Sequence, residues 1–193
     1  MIIETQRLYL RPLKADDADY FDVLMKDPAV YRYILRQEPW AEGMVRHVLS
    51  IQHFILSELG FCLFGVALKE TGRLAGYCGL QPLESFTASV VNQVGVSWVF
   101  HPDFWGMGLA TEAGHAVLEK AFAATGLDCV KAIIHPANFG SIKVAGKLGF
   151  KFDDLVFRND RLRLMYSVSR AVFETGRMQW DGTQNNLAVA GCF

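Results

Sequence analysis

The sequence predicts an α/β (α+β) domain built on one mixed sheet, and three observations carry that prediction. A chain of 193 residues, 51% apolar and 20% charged, is long enough for a single packed core, and no Pro/Gly/Ser-rich linker divides it. Two apolar runs close around Glu70-Thr71-Gly72-Arg73, the signature of an antiparallel hairpin with Gly72 at the positive-φ position. Past mid-chain, an apolar segment passes through a glycine-bearing turn directly into a helical pattern.

The elements follow in order. "RLYLRPL" alternates polar and apolar residues and predicts a first strand over residues 7–13. A helix follows, with Asp16 and Asp17 at its positive end and Tyr20, Phe21 and Leu24 on one face; Pro28 stops it. A second helix is expected from near Trp40 to Leu59, then the hairpin around Gly72. "NQVGVSWVF" shows little alternation and predicts a strand buried on both faces. The helix after it spans residues 109–124, with Ala110, Ala113, Val117 and Ala121 as its buried stripe and Gly126 as its C-terminal cap. "CVKAIIH" is a short strand, and "NFGSIKVAGKLGF" a helix with Asn138 as N-cap and Gly149 just beyond its end. Two strands joined at Asn159-Asp160 complete the sheet. The domain is expected over residues 1–175, with 176–193 as a weakly periodic tail.

Composition excludes several classes. A net charge of −1 carries no basic footprint for nucleic acid. Cys62, Cys78, Cys129 and Cys192 form no C-x-x-C pair, so zinc and dithiol chemistry lack support and no metal is expected; reduced, buried thiols in a cytoplasmic protein fit better. The start lacks a signal-peptide pattern, and no run of about 18 apolar residues predicts a membrane span.

The stretch "HPDFWGMGLATEAG" poses the functional question. Gly106 and Gly108 bring no side chain to a turn that opens a helix, where amide N–H groups and the positive helix end attract phosphate. The plain alternative is a tight turn without ligand. A Walker loop is excluded, because no G-x-x-x-x-G-K-[ST] occurs in the chain. A dinucleotide site is disfavoured: Thr111 stands where a third glycine belongs, and His135-Pro136 where a ribose-binding acid belongs. The turn also lies past mid-chain, which leaves too little sequence for a doubly wound sheet. A pyrophosphate in another carrier, such as coenzyme A, remains.

The segment from His101 to Phe150 resembles the acyl-CoA-binding core of the GNAT N-acyltransferase superfamily, nearest the ribosomal-protein N-terminal acetyltransferase-like branch. "TQRLYLRPLKADDADYFDVLMKDPAVYRY" and "FGVALKETGRLAGYCGL" are similar to that branch as well, so the likeness runs over residues 5–169. It implies a mostly antiparallel sheet of six to seven strands, splayed between the fourth and fifth, with about four helices. The family's [QR]-x-x-G-x-[GA] loop falls at Trp105-Gly106-Met107-Gly108-Leu109-Ala110, with Trp105 in the first place as is usual in this branch. By that likeness the amides from Met107 to Thr111 hold the pyrophosphate, and the strand ending Trp98-Val99-Phe100 pairs with the pantetheine arm. The family's N-x-x-[SA] lies on Asn138 and Ser141, with the serine near the coenzyme sulfur. A tyrosine common elsewhere in the family is replaced by Ala145, which leaves Ser141 as the residue to serve the thiolate. Both residues also have ordinary helix-start roles.

The implied reaction is direct attack of a primary amine on acetyl-CoA, with an amide near Val99 or Phe100 polarising the carbonyl. The acceptor is a protein N-terminus or a small amine. The branch's glutamate base is missing: this chain has Gln93-Val94-Gly95 there. Glu84, His101 and His135 remain as bases acting through water, and Tyr31, Tyr33, Trp40, Phe157 and Arg158 as acceptor-pocket residues, with Asp153 and Asp154 on its rim. A CoA-binding regulatory module without catalysis, and a nucleotide-binding α/β protein, are the competing classes. The protein is expected as a monomer or homodimer, without nucleic acid or membrane.

Overall fold

The computed structural model describes residues 2–34, 37–83 and 93–177. Its strands are β1 (Ile3–Glu4), β2 (Leu8–Pro12), β3 (Leu63–Leu68), β4 (Leu74–Pro82), β5 (Val94–Phe100), β6 (Cys129–Ile134), β7 (Lys151–Arg158) and β8 (Arg161–Ser169). Its α-helices are α1 (Ala18–Lys26), α2 (Pro28–Tyr31), α3 (Met44–Leu59), α4 (Leu109–Ala124), α5 (Phe139–Lys147) and α6 (Arg170–Arg177). The strands form one sheet in the order β1-β2-β3-β4-β5-β6-β8-β7. Every neighbouring pair is antiparallel except β5 and β6.

Helices cover both faces. On one, α1 and α3 bury Phe21, Leu24, Met25, Val45 and Leu49 against Leu63 and Tyr77. On the other, α4 and α5 bury Leu109, Val117, Leu118, Ala145 and Leu148 against Val66, Cys78, Val96 and Ala132. Each of the buried Val, Leu, Phe and Met side chains contributes about 1.5–3 kcal/mol by leaving water.

Four differences from the sequence reading have local causes. The sheet has eight strands because Ile3–Glu4 pairs with Leu10 and Tyr9, too short a match to show alternation. The splay therefore falls between β5 and β6, the same two segments as expected, shifted one place in the count. The second long helix starts at Met44, after Gly43 in the left-handed region (φ 77°), while Trp40 packs against the α1/α3 core outside it. Thr125, not Gly126, closes α4: its hydroxyl donates to the Ala121 carbonyl at 2.8 Å, so no positive-φ residue is needed. An additional helix, α6, starts directly after β8 and seats Phe173 against Phe122 and His115, running past residue 175.

Candidate active site

β5 and β6 decide where the site lies. They run parallel and meet at the single register pair Gly95↔Lys131, whereas β4 stays paired with β5 along its whole length. Among the described residues, the β6-facing edge of β5 pairs with no strand from Val96 onward, and the sheet opens as a wedge towards the ends of both strands. Side chains along β5 alternate: Trp98 and Phe100 lie with the α4/α5 core, and Val99 with the α1/α3 core.

The glycine loop sits at the open end of this wedge. Gly106 (φ 76°) and Gly108 (φ 77°) both occupy the left-handed region, which a side chain disfavours. A Cβ built on Gly106 meets no atom within 4 Å, so the space above the loop is open. Leu109, Ala110 and Thr111 form the first turn of α4, whose amides have no carbonyl four residues back within the helix. Leu109 and Thr111 are buried, which fixes the turn, while Trp105 and Met107 are exposed. The Trp105 indole donates to the Phe100 carbonyl at 2.7 Å and ties the loop to the end of β5. These amides and this open space fit a pyrophosphate.

A carboxylate in the same first turn ought to repel such an anion, and the fold neutralises it. Glu112 accepts from the Thr5 hydroxyl (2.5 Å), the Arg7 amide (2.8 Å) and Arg7 Nε (2.7 Å). Burial pushes its pKa up, but these three donors outweigh that and hold it below the ordinary glutamate value. Arg7 also donates from Nη1 to the Met107 carbonyl at 2.9 Å, which ties the start of β2 to the loop. Sequence reasoning missed this brace. An acidic residue in the first turn of an anion-binding helix was the available signal, since it demands a cation.

At the end of β6, Asn138 caps α5: its Oδ1 accepts from the Ser141 amide at 3.0 Å. The Ser141 hydroxyl accepts from Trp98 Nε1 at 3.2 Å, which bridges the wedge from β5 to α5. The structure thus brings together Trp98, Ser141 and Asn138, as well as the loop from Trp105 to Thr111.

The proposed bases are differently placed. Glu84 lies outside the described residues. His101 caps the short turn after β5, its Nδ1 accepting from the Asp103 amide at 3.3 Å. His135 is engaged at both nitrogens: Nδ1 accepts from the Ala137 amide (3.0 Å), and Nε2 lies 2.8 Å from Gln37 Nε2. Burial, and the charges of Arg163 and Arg161, lower the His135 pKa below the ordinary histidine value. Around it, the segment after α2 is pinned to the sheet. Tyr33 packs edge-on to His135 (5.7 Å), Arg161 donates to Gln37 Oε1 (2.7 Å), and Arg163 reaches the Ile34 carbonyl (3.4 Å). Tyr33 therefore joins this wall, and Trp40 belongs to the α1/α3 core. Tyr31 is half-buried at the end of α2. Phe157 and Arg158 lie on the outermost strand, with Phe157 exposed. Asp153 pairs with Lys131 at 3.2 Å, and Asp154 accepts from the Leu155 amide at 2.7 Å.

The profile of the acetyltransferase (GNAT) domain matches residues 7–151, three quarters of the chain. The chain belongs to that family. Acetyl-CoA is the co-substrate of GNAT enzymes, and the loop and wedge described above lie within the matched region. "Uncharacterized N-acetyltransferase p20" of Bacillus licheniformis is 26% identical over 153 residues, 79% of this chain and 83% of the relative. Among solved structures, an acetyltransferase from Agrobacterium tumefaciens shares the fold with a TM-score of 0.75 at 24% identity, covering 88% of this chain and 95% of that one. Mycobacterium smegmatis RimJ, solved in complex with CoA-disulfide, matches with a TM-score of 0.68 at 17% identity, over 85% of this chain and 82% of its own. Among the described residues, no helix is long and apolar enough to cross a membrane, and no cluster of three or more His, Cys, Asp or Glu is arranged to hold a metal ion.

Proposed function

We propose that this GNAT protein transfers the acetyl group of acetyl-CoA to a primary amine, either a protein N-terminus or a small molecule, by direct attack. The amine nitrogen bonds to the thioester carbonyl carbon, the C–S bond breaks, and the electron pair leaves on the thiolate. The amine's proton passes to solvent. The observation that carries this reading is the wedge between β5 and β6, which opens beside the glycine loop at the N-terminus of α4. In it, the amides from Met107 to Thr111 hold the pyrophosphate, and the free edge of β5 at Trp98-Val99-Phe100 pairs with the pantetheine amides. An N–H at Val99 or Phe100 polarises the carbonyl, which is typically worth about 3 kcal/mol. Asn138 positions α5, and Ser141 donates to the departing sulfur. Cys62 and Cys78 are buried free thiols, with burial pushing Cys62 up to about 12, which accords with a reducing cytoplasmic setting.

Two observations favour a second reading. Gln93-Val94-Gly95 carries no carboxylate where the branch often has one, and Ala145 replaces the tyrosine common elsewhere, as in a CoA-binding module that has lost catalysis. Thiol release from acetyl-CoA, followed spectrophotometrically with a panel of peptides and small amines, separates the two. Acceptor-dependent release establishes the enzyme. Thermal stabilisation by acetyl-CoA without release from any acceptor establishes the module. Stabilisation by NAD or ATP, with none by CoA, removes both.

A further inference from the structure

The outer hairpin of the sheet presents an apolar face that the site does not use. Among the described residues, β7 is the last strand of the sheet. The register of β7 on β8 sets Phe152 opposite Tyr166, Leu155 opposite Leu164, and Phe157 opposite Leu162, all on one face. Phe152, Leu155, Phe157 and Leu162 are 41–74% exposed. Edge strands are normally guarded by lysine, proline or a covering element. The middle of β7 is instead Leu155-Val156-Phe157, flanked by Asp154 and Arg158.

The turn determines which backbone groups face outward. Asn159 and Asp160 have φ of 50° and 57°, a two-residue turn of the kind that matches strand twist. In such a hairpin the flanking pair, Arg158 and Arg161, exchanges both hydrogen bonds. Alternation then aims the N–H and C=O of Phe157 and Leu155 away from β8. The Leu155 amide agrees: it donates to the Asp154 carboxylate at 2.7 Å.

We propose that the protein is a two-fold homodimer in which the β7 strands of two copies pair antiparallel about Val156. In that register Leu155 lies opposite the second copy's Phe157, and Phe157 opposite its Leu155. Each pair uses the outward backbone groups, and the apolar side chains share one face. On the other face, Asp154 of each copy meets Arg158 of the other. On pairing, the Leu155 amide passes to the facing Phe157 carbonyl, and the Asp154 carboxylate to the facing guanidinium. Moving the axis to Leu155 sets Phe157 against Asp153; moving it to Phe157 sets Asp154 against Asp160. Only the axis at Val156 matches apolar with apolar and opposite charges together. The proposal is independent of the acetyl-transfer reading, since it uses no residue of the wedge or the glycine loop.

Sedimentation equilibrium and light scattering on the full chain test it. The expected mass is twice the 21.6 kDa of the chain. Asp154→Arg and Arg158→Asp, each alone, place like charges opposite one another and raise the dimer dissociation constant by about tenfold or more. The double variant Asp154→Arg/Arg158→Asp exchanges the signs of both reciprocal pairs and restores the dimer. Circular dichroism confirms that each variant folds. Phe157→Glu, at a side chain already exposed, is the substitute where one does not, and is expected to be monomeric. A wild-type chain that stays monomeric at micromolar concentration overturns the proposal. So does a dimer that neither single variant weakens, or a double variant that fails to restore it.

Discussion

Ser141→Ala isolates the leaving-group step. The Ser141 hydroxyl accepts from Trp98 Nε1 at 3.2 Å, and an indole N–H only donates. The serine's own proton is therefore left for another acceptor, which in the proposed reaction is the thiolate. A hydrogen bond to a charged group contributes about 1.5–3 kcal/mol, and each 1.4 kcal/mol is a decade in rate, so kcat should fall by about 10- to 150-fold. CoA affinity should change by less than about threefold, because the loop amides and the helix end carry that binding. Alanine also strands the Trp98 N–H, which costs about 1 kcal/mol of stability. Trp98→Phe leaves the hydroxyl but removes the group that orients it, and should cost about fivefold in kcat. The measurements are initial rates of thiol release at saturating acetyl-CoA, CoA affinity by calorimetry, and thermal unfolding of each variant. A kcat within twofold of wild type refutes the argument. An equal loss of kcat and CoA affinity does too, since it would mark Ser141 as a structural residue of α5.

Gly108→Val should abolish CoA binding without unfolding the chain, because valine at φ 77° is strained and its Cβ narrows the phosphate approach; calorimetry reads it, and retained affinity would make the loop purely structural. Arg7→Ala should weaken CoA by about 3- to 10-fold and raise the salt sensitivity of binding, since Glu112 is then an unpaired anion beside the loop. Asp17 has two hydrogen bonds from Arg11 (2.7 and 2.8 Å) and one from the Lys14 amide; burial raises its pKa, but these donors hold it below the ordinary aspartate value. The stability it supplies is therefore complete above about pH 4 and drains away as pH falls through the depressed value, so Asp17→Asn should lose about 1–3 kcal/mol at neutral pH and progressively less in acid, as read by urea unfolding. Gly79→Ala should fail to fold stably, because its Cβ would sit 2.1 Å from the Cys62 carbonyl and 2.6 Å from the Leu63 Cα.

Features written in consecutive residues were the legible ones. The helix at Leu109–Ala124, the N-cap at Asn138 and the turn at Asn159-Asp160 each rest on a local pattern, and the structure has them where that pattern places them. The glycine loop was legible for the same reason. What escaped depends on long sequence separations. Arg7 and Glu112 stand 105 residues apart, and Trp98 and Ser141 stand 43 apart. No periodicity carries such pairings, because they arise only when β2 and α4, or β5 and α5, are brought together by the core. The short β1 and the helix α6 escaped for another reason. Two residues cannot display alternation, and Arg170 continues from β8 without a breaker.

The missing carboxylate near Gln93-Val94-Gly95 has a consequence for the acceptor. Among the described residues, His101 uses Nδ1 to cap a turn, and His135 is engaged at both nitrogens and flanked by two guanidinium groups, so neither offers a ready lone pair. With no strong base placed among the described residues, the reaction draws on the neutral fraction of the amine already present in solution. An α-amino group, with a pKa of about 7.7–8.0, is about one third neutral at pH 7.5, whereas a lysine-type amine at about 10.4 is neutral in only about one molecule in a thousand. The difference, about 250-fold, favours α-amines over side-chain or polyamine acceptors before any binding contact is made. The pH dependence of kcat/KM should then follow the acceptor: a plateau above about pH 8 for an N-terminal amine, and a continued tenfold rise per pH unit to about pH 10 for an alkyl amine. Profiles for both amine classes that bend at one shared pH, well below the pKa of either amine, would show that the protein supplies its own base and would refute the preference.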